Sequence, residues 1–302
     1  MTSRPSSNDQ TDPAAPATGS MYPAAPLRSS VRERISRVVP GFVRLFPTGR
    51  VAVIRLHGPI GGSGRTLELI ELARRLRESR RVPAVVLDID SPGGSATASD
   101  ELLIAFERLG ARKPLVASIR GTGASGAYLA AMAARRILAN PNAIVGSIGV
   151  ISAGPRLPRL LDRIGVTVRE SKAGRLKGMG APWRDETDEE RAKEQRIVDQ
   201  FYAAFVERVA KGRHMTPERV RELATGEIWL GSEALALGLV DEIGDLERAI
   251  EVAAAMAGVP PRSAPVRIRR PLLGRLIERL TGSMAAAVAD ELEARFTDRF
   301  RA

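Results

Sequence analysis

Residues 84–95 read Ala84-Val85-Val86-Leu87-Asp88-Ile89-Asp90-Ser91-Pro92-Gly93-Gly94-Ser95, and residues 115–126 read Leu115-Val116-Ala117-Ser118-Ile119-Arg120-Gly121-Thr122-Gly123-Ala124-Ser125-Gly126. Each begins as a short apolar run, the pattern of a strand buried on both faces of a parallel sheet. Each then breaks at a glycine-rich turn. Between them Ala98 to Leu109 carries Leu102, Leu103, Phe106 and Leu109 at helical spacing. Strand, helix, strand, with a turn at the same end of both strands, predicts an α/β fold around a parallel sheet wound in one hand.

The same alternation extends outward. Val51 to Leu56 predicts a strand, followed by a turn at residues 57–62 and a helix from Thr66 to Arg80. Beyond Ser125, Ala127 to Ala134 predicts an Ala-rich helix, and Arg136–Ala139 and Ile144–Ile151 two short strands. Leu157–Ile164 predicts a short helix, Val166–Arg169 a strand, and residues 172–183 an irregular, glycine-rich stretch. Thr187 and Glu190 form a capping-box pair that opens a long helix through Val209, with Ile197, Phe201, Phe205 and Val209 on one stripe. Thr216 followed by Pro217 starts another helix, and Leu246–Met256 a further one that stops at Gly258.

Two of the turns carry chemistry. In Gly123-Ala124-Ser125-Gly126-Ala127 a helix begins right after a serine, which exposes the hydroxyl and points free helix N-terminal amides at the space beside it. A serine that merely caps the helix would look the same. Gly93 and Gly94 let the backbone of the other turn approach a ligand and supply a second amide donor. Both turns fall on the C-terminal edge of the sheet, where open α/β sheets bind ligands.

A serine nucleophile needs a base. There is no cysteine, which excludes thiol catalysis, disulfides and Cys-based metal sites. Only His57 and His214 could complete a histidine triad, and neither has an evident carboxylate partner; a His-rich metal site is also excluded. Lysine is scarce in a chain whose 46 cations are mostly arginine. Lys177 lies among small residues in the irregular stretch. Desolvated there it would favour the neutral, basic form; otherwise it is a surface cation.

These residues, taken together, resemble the signal peptide peptidase A family of bacterial Ser–Lys peptidases. The resemblance rests on Ile89-Asp90-Ser91-Pro92-Gly93-Gly94, Gly123-Ala124-Ser125-Gly126-Ala127-Tyr128, Val145-Gly146-Ser147-Ile148-Gly149-Val150 and Lys177, in that order. It continues through Lys211-Gly212-Arg213, Gly226 and residues 238–244, and covers about residues 50–258. It implies a crotonase/Clp-protease-like fold of repeated β-β-α units, with a C-terminal helical extension. It assigns Ser125 as nucleophile, Lys177 as general base and Ser147 as the residue that orients the lysine. Gly93, Gly94 and Gly126 hold the oxyanion and the substrate backbone. It implies peptide substrates with small or apolar side chains, no metal, no cofactor, and a homo-oligomeric ring or dome, with eight copies as the leading expectation. One departure is Ala127, where the family usually has glycine; its methyl is expected to narrow the cleft beside the oxyanion site.

The same two glycine amides would equally serve an acyl-CoA-processing enzyme of this fold, and the fold without activity would serve as a scaffold. The net charge of +11 comes without any nucleic-acid motif, so nucleic acid is not expected as a partner. No window of about 18 apolar residues spans a membrane, and Met1 to Ser30 lacks an apolar signal-peptide core. A cytoplasmic or membrane-peripheral place in a bacterium is expected. Residues 1–48 read as a disordered tail with a short amphipathic segment, 49–258 as the peptidase domain, and 259–302 as an amphipathic extension. Val31–Phe46 and Arg267–Leu280 suit either an anionic membrane surface or a neighbouring subunit.

Overall fold

The computed structural model describes residues 49–61 and 64–266. The two amphipathic segments, the N-terminal tail and the extension beyond Val266 lie outside the described residues. Among those described, no helix is long and apolar enough to cross a membrane.

The first strand, β1, spans Val51–His57. It is followed by α1 (Arg65–Glu78), β2 (Val85–Ser91), α2 (Ala96–Gly110) and β3 (Leu115–Ala124). These three strands are parallel neighbours, with Ile54 opposite Leu87 and Leu87 opposite Ala117. Next come α3 (Gly126–Ala131), β4 (Arg136–Ala139), β5 (Ile144–Gly146) and α4 (Pro158–Arg163). The chain closes with α5 (Asp188–Arg213), α6 (Pro217–Leu223), β6 (Ile228–Leu230), α7 (Gly231–Ala236), β7 (Glu242–Ile243), α8 (Leu246–Ala257) and β8 (Ser263–Pro265). The sheet is parallel except for the β5–β6 pairing. This is the expected mixed α/β architecture with a mostly parallel sheet, consistent with a Clp-protease-like fold.

The β3 strand changes partner along its length. Residues Val116 to Ile119 pair with β4, and Thr122 to Ala124 pair with β5, while β2 runs along the other edge. The end of β3 is therefore held from both sides through Gly123, and by β5 up to Ala124. Strand periodicity divides the side chains between the faces. Val51, Val53, Val86, Val116 and Leu138 pack against Ala249, Ile250, Ala253 and Ala254 of α8. On the other face α3 packs on β2 and β3, α2 on α3, and α1 on α2. Ala127, Ala130 and Ala131 of α3 are fully buried, and their small side chains let the neighbouring helix approach closely.

Stretches that differ from the sequence expectation include Ile144–Ile151, of which only Ile144–Gly146 forms a strand. Residues 260–265, read from sequence as the start of the amphipathic extension, include β8, which adds to the free edge of β1. Three residues with two prolines nearby carry too little periodicity to signal a strand. No strand forms at Val166–Arg169; those residues are exposed and have no neighbouring strand to pair with. The long helix, expected through Val209, runs on to Arg213, so residues 211–213 form the last turn of α5, and His214 closes the helix in the left-handed conformation at φ 55.

Arg213 of that turn forms a fork onto Asp241, at 2.8 and 3.1 Å, and Asp241 also accepts the Ile137 amide at 2.7 Å. Burial pushes the Asp241 carboxyl up, but the guanidinium and the amide outweigh it and hold it below the usual carboxylate range. A depressed pKa means the stabilisation is present above the unfolded pKa and lost as pH falls through the folded one. Asp241→Asn is expected to cost about 1.5–3 kcal/mol at neutral pH. Denaturant titration at several pH values should show that gap narrowing once the pH drops below the ordinary carboxylate pKa.

Candidate active site

Ser125 sits between β3 and α3 with φ 50 and ψ −125. That is a left-handed conformation a non-glycine residue adopts only when its surroundings impose it, at a cost on the order of 1–3 kcal/mol. Its amide donates to the Gly146 carbonyl at 2.8 Å, and its carbonyl accepts from the Leu129 amide at 2.9 Å. Behind it the fully buried Tyr128 donates its hydroxyl to the Leu239 carbonyl at 2.7 Å. Sheet, helix and core thus fix the serine's backbone.

The Gly93–Gly94 turn approaches from β2. Ile60 donates its amide to the Gly93 carbonyl at 2.7 Å, and its carbonyl accepts the Ser95 amide at 2.8 Å. In a trans peptide the N–H points opposite the C=O. The Gly94 N–H therefore points away from Ile60, toward α3. A Cβ on Gly94, at φ +151, would lie 1.9 Å from the Ile60 carbonyl oxygen. Gly126 is the first residue of α3, so no earlier turn of the helix supplies an acceptor for its amide. A Cβ there would fall 2.0 Å from the Ser99 hydroxyl and 3.5 Å from the Gly94 nitrogen. The two amides and the serine converge, and only glycine permits the approach at both positions.

Ser125, Gly94, Gly126 and Ser147 line one cleft of about 890 Å³. Gly93 lies behind it, packed against the Ser125–Gly126 backbone. Ser147 follows Gly146 with φ 50 and donates its amide to the Glu227 carbonyl at 2.7 Å. Leu129, Val150, Phe201 and Phe205 give the cleft apolar walls. Ala127 is fully buried and does not line the cleft, so the expected narrowing by its methyl does not arise from contact with this space. Gly94→Ala is expected to lower turnover on the order of 100–1,000-fold by displacing one amide donor. Active-site titration and kcat of the folded fraction measure it.

Lys177 is exposed and is not brought to this cleft. It lies on an arm, residues 151–186, that leaves the body after β5 and returns at α5. There it lines a separate shallow groove with Glu170, Lys172 and Trp183. The arm also exposes Ile151, Leu160, Ile164, Val166, Val168 and Trp183. The burial expected around Lys177 is thus absent within one copy of the chain. The histidines do not replace it. His57 has the carboxylate partner its sequence context did not reveal, Asp88 at 3.1 Å, but neither His57 nor His214 lines the cleft.

Sequence reasoning missed the far wall. Phe201, Tyr202, Phe205 and Arg208 of α5 face Ser125 across the cleft, and Arg208 pairs with Asp100 of α2 at 3.2 Å. Their i, i+4 spacing looks like a core stripe, and Phe205 is indeed buried while Phe201 is 41% exposed. No group of three or more His, Asp or Glu side chains among the described residues is arranged to hold a metal.

Comparison with known proteins agrees with this geometry. Residues 107–260 match peptidase family S49. The chain is 37% identical over 246 residues to a Synechocystis sp. protein named "Putative protease slr0021", spanning 80% of this chain and 87% of that one. It is 36% identical over 215 residues to the chloroplastic serine protease SPPA of Arabidopsis thaliana, spanning 69% of this chain but 32% of the relative. It is 31% identical over 256 residues to protease 4 of Salmonella typhi, spanning 82% of this chain but 41% of the relative.

Proposed function

The chain belongs to peptidase family S49, the signal peptide peptidase A family of serine proteases, and from that premise we propose that it cleaves peptides through a Ser–Lys dyad assembled from two copies. Ser125 is the nucleophile and Lys177 of the partner subunit is the general base. The observation that carries the reading is the strained Ser125 backbone, held where its hydroxyl shares a cleft with the Gly94 and Gly126 amides.

The unprotonated amine takes the Ser125 proton, and the serine oxygen attacks the scissile carbonyl. Negative charge moves onto the carbonyl oxygen, where the two glycine amides stabilise it. The ammonium returns its proton to the leaving amine as the C–N bond breaks. Water then enters, the lysine removes its proton, and the acyl-enzyme is hydrolysed to free Ser125 and a carboxylic acid. Ser147 orients the lysine from the cleft wall.

The arm's exposed apolar side chains support a homo-oligomer, a ring or dome of about eight copies by family resemblance, in which a second copy covers the arm. Such cover would also remove water from around Lys177. The apolar cleft walls suit small or apolar side chains, and signal-peptide remnants are substrates of that kind. Mass spectrometry after reaction with a peptide aldehyde or fluorophosphonate tests the reading. An adduct on Ser125 supports it. Unmodified Ser125 in protein that turns over an acyl-CoA thioester would replace it with thioester chemistry on the same two amides.

A further inference from the structure

Lys177 reaches a neighbouring cleft only if its arm holds a fixed position, and the guanidinium of Arg184 is the anchor that acts on the peptide next to it. Arg184 donates to both carboxylate oxygens of Glu190, at 2.9 and 2.5 Å, and to the Gly178 carbonyl at 2.7 Å. Gly178 directly follows Lys177. Glu190 is buried and already committed at the start of α5, where it accepts the Thr187 amide at 2.9 Å in the capping box. The Arg184 fork and the Thr187 amide hold the Glu190 carboxyl down at about 2, so the pair stays ionised across the working range of a peptidase. A Cβ on Gly178 would lie 2.9 Å from the Arg184 Nη2 and 2.7 Å from Glu170, so the peptide after Lys177 is pressed directly onto the clamp.

Glu190 and the cleft residue Phe205 lie on the same helix, fifteen residues or about 20 Å apart. One end of α5 thus carries the lysine-bearing loop and the other walls this copy's own cleft.

We propose that Arg184 and Glu190 are positioning residues for the general base: they fix the Lys177–Gly178 peptide to the N-terminus of α5, so that a rigid helix sets where Lys177 enters the cleft of the partner subunit. This rests on the two-copy dyad. A guanidinium is needed because it alone can fork onto the carboxylate and still reach the carbonyl; a lysine provides a point charge.

Mixed assemblies test both levels. Co-assembly of Ser125→Ala chains with Lys177→Ala chains should restore activity to cleft pairs that combine one intact serine with one intact lysine. Arg184→Lys is then added to one partner at a time. On the Ser125→Ala chain, which supplies the only lysine, it should reduce kcat by about 10–100-fold with KM unchanged, the scale of a misplacement on the order of 1 Å. On the Lys177→Ala chain, which supplies only the serine, activity should equal that of the unmodified mixture. Equal loss in both arrangements overturns the positioning role and leaves Arg184 as a support of the fold. No activity in the starting mixture overturns the two-copy dyad, and the clamp's role with it.

Discussion

Ser125→Ala is expected to reduce peptide hydrolysis by about 10,000-fold or more, as removal of a nucleophile does in other serine peptidases. Steady-state assay of a fluorogenic peptide, with the inhibitor adduct at residue 125 lost in parallel, measures it. The variant should fold normally, because Ser125 holds its place through backbone bonds to Gly146 and Leu129 rather than through its hydroxyl. Its φ of 50 suits glycine, as the first central position of a type II′ turn does. Ser125→Gly is therefore expected to be equally inactive yet more stable than Ser125→Ala by about 1 kcal/mol. A protein that keeps the strained residue at a cost in stability, where glycine would relax it, is keeping the hydroxyl. If Ser125→Ala retains substantial turnover, the nucleophile lies elsewhere.

Lys177→Arg should be nearly as damaging to rate and far milder in every other respect. Arginine keeps much of the length, and within one copy the exposed side chain contributes within about 0.5 kcal/mol to stability. Guanidinium cannot give up its proton in a protein, so it cannot accept one from Ser125. A loss of about 10,000-fold in kcat/KM is expected, with the thermal midpoint and the size of the assembly unchanged. Full activity in Lys177→Arg would reject the dyad.

Much of the catalytic half of the molecule was legible in the residues themselves. Two apolar runs ending in glycine turns placed both turns at one sheet edge, and the geometry of Gly94, Gly126 and Ser125 follows from that placement. The Thr187–Glu190 capping box was equally legible, because its bonds lie within four residues. The far wall was not, since Phe201 and Phe205 have the spacing of any buried helical stripe, and only tertiary packing brings them to the cleft that Ser125 lines. The partnership of His57 with Asp88 crosses two strands in a register that sequence does not print. Lys177 marks a different limit. Its neighbours in sequence suggest a dry pocket, but one copy of the chain leaves it in water. On the proposed two-copy dyad, what would dry it lies on another molecule, and no pattern along a single chain encodes that distance.

The projecting arm has a consequence for when the protein can do harm. A newly synthesised copy carries a poised hydroxyl without an amine beside it, and an amine with nothing to deprotonate. On the proposed two-copy dyad, encounter between copies would switch both on together, so catalytic power would grow more steeply than abundance. On that reading, dilution would return the enzyme to dormancy.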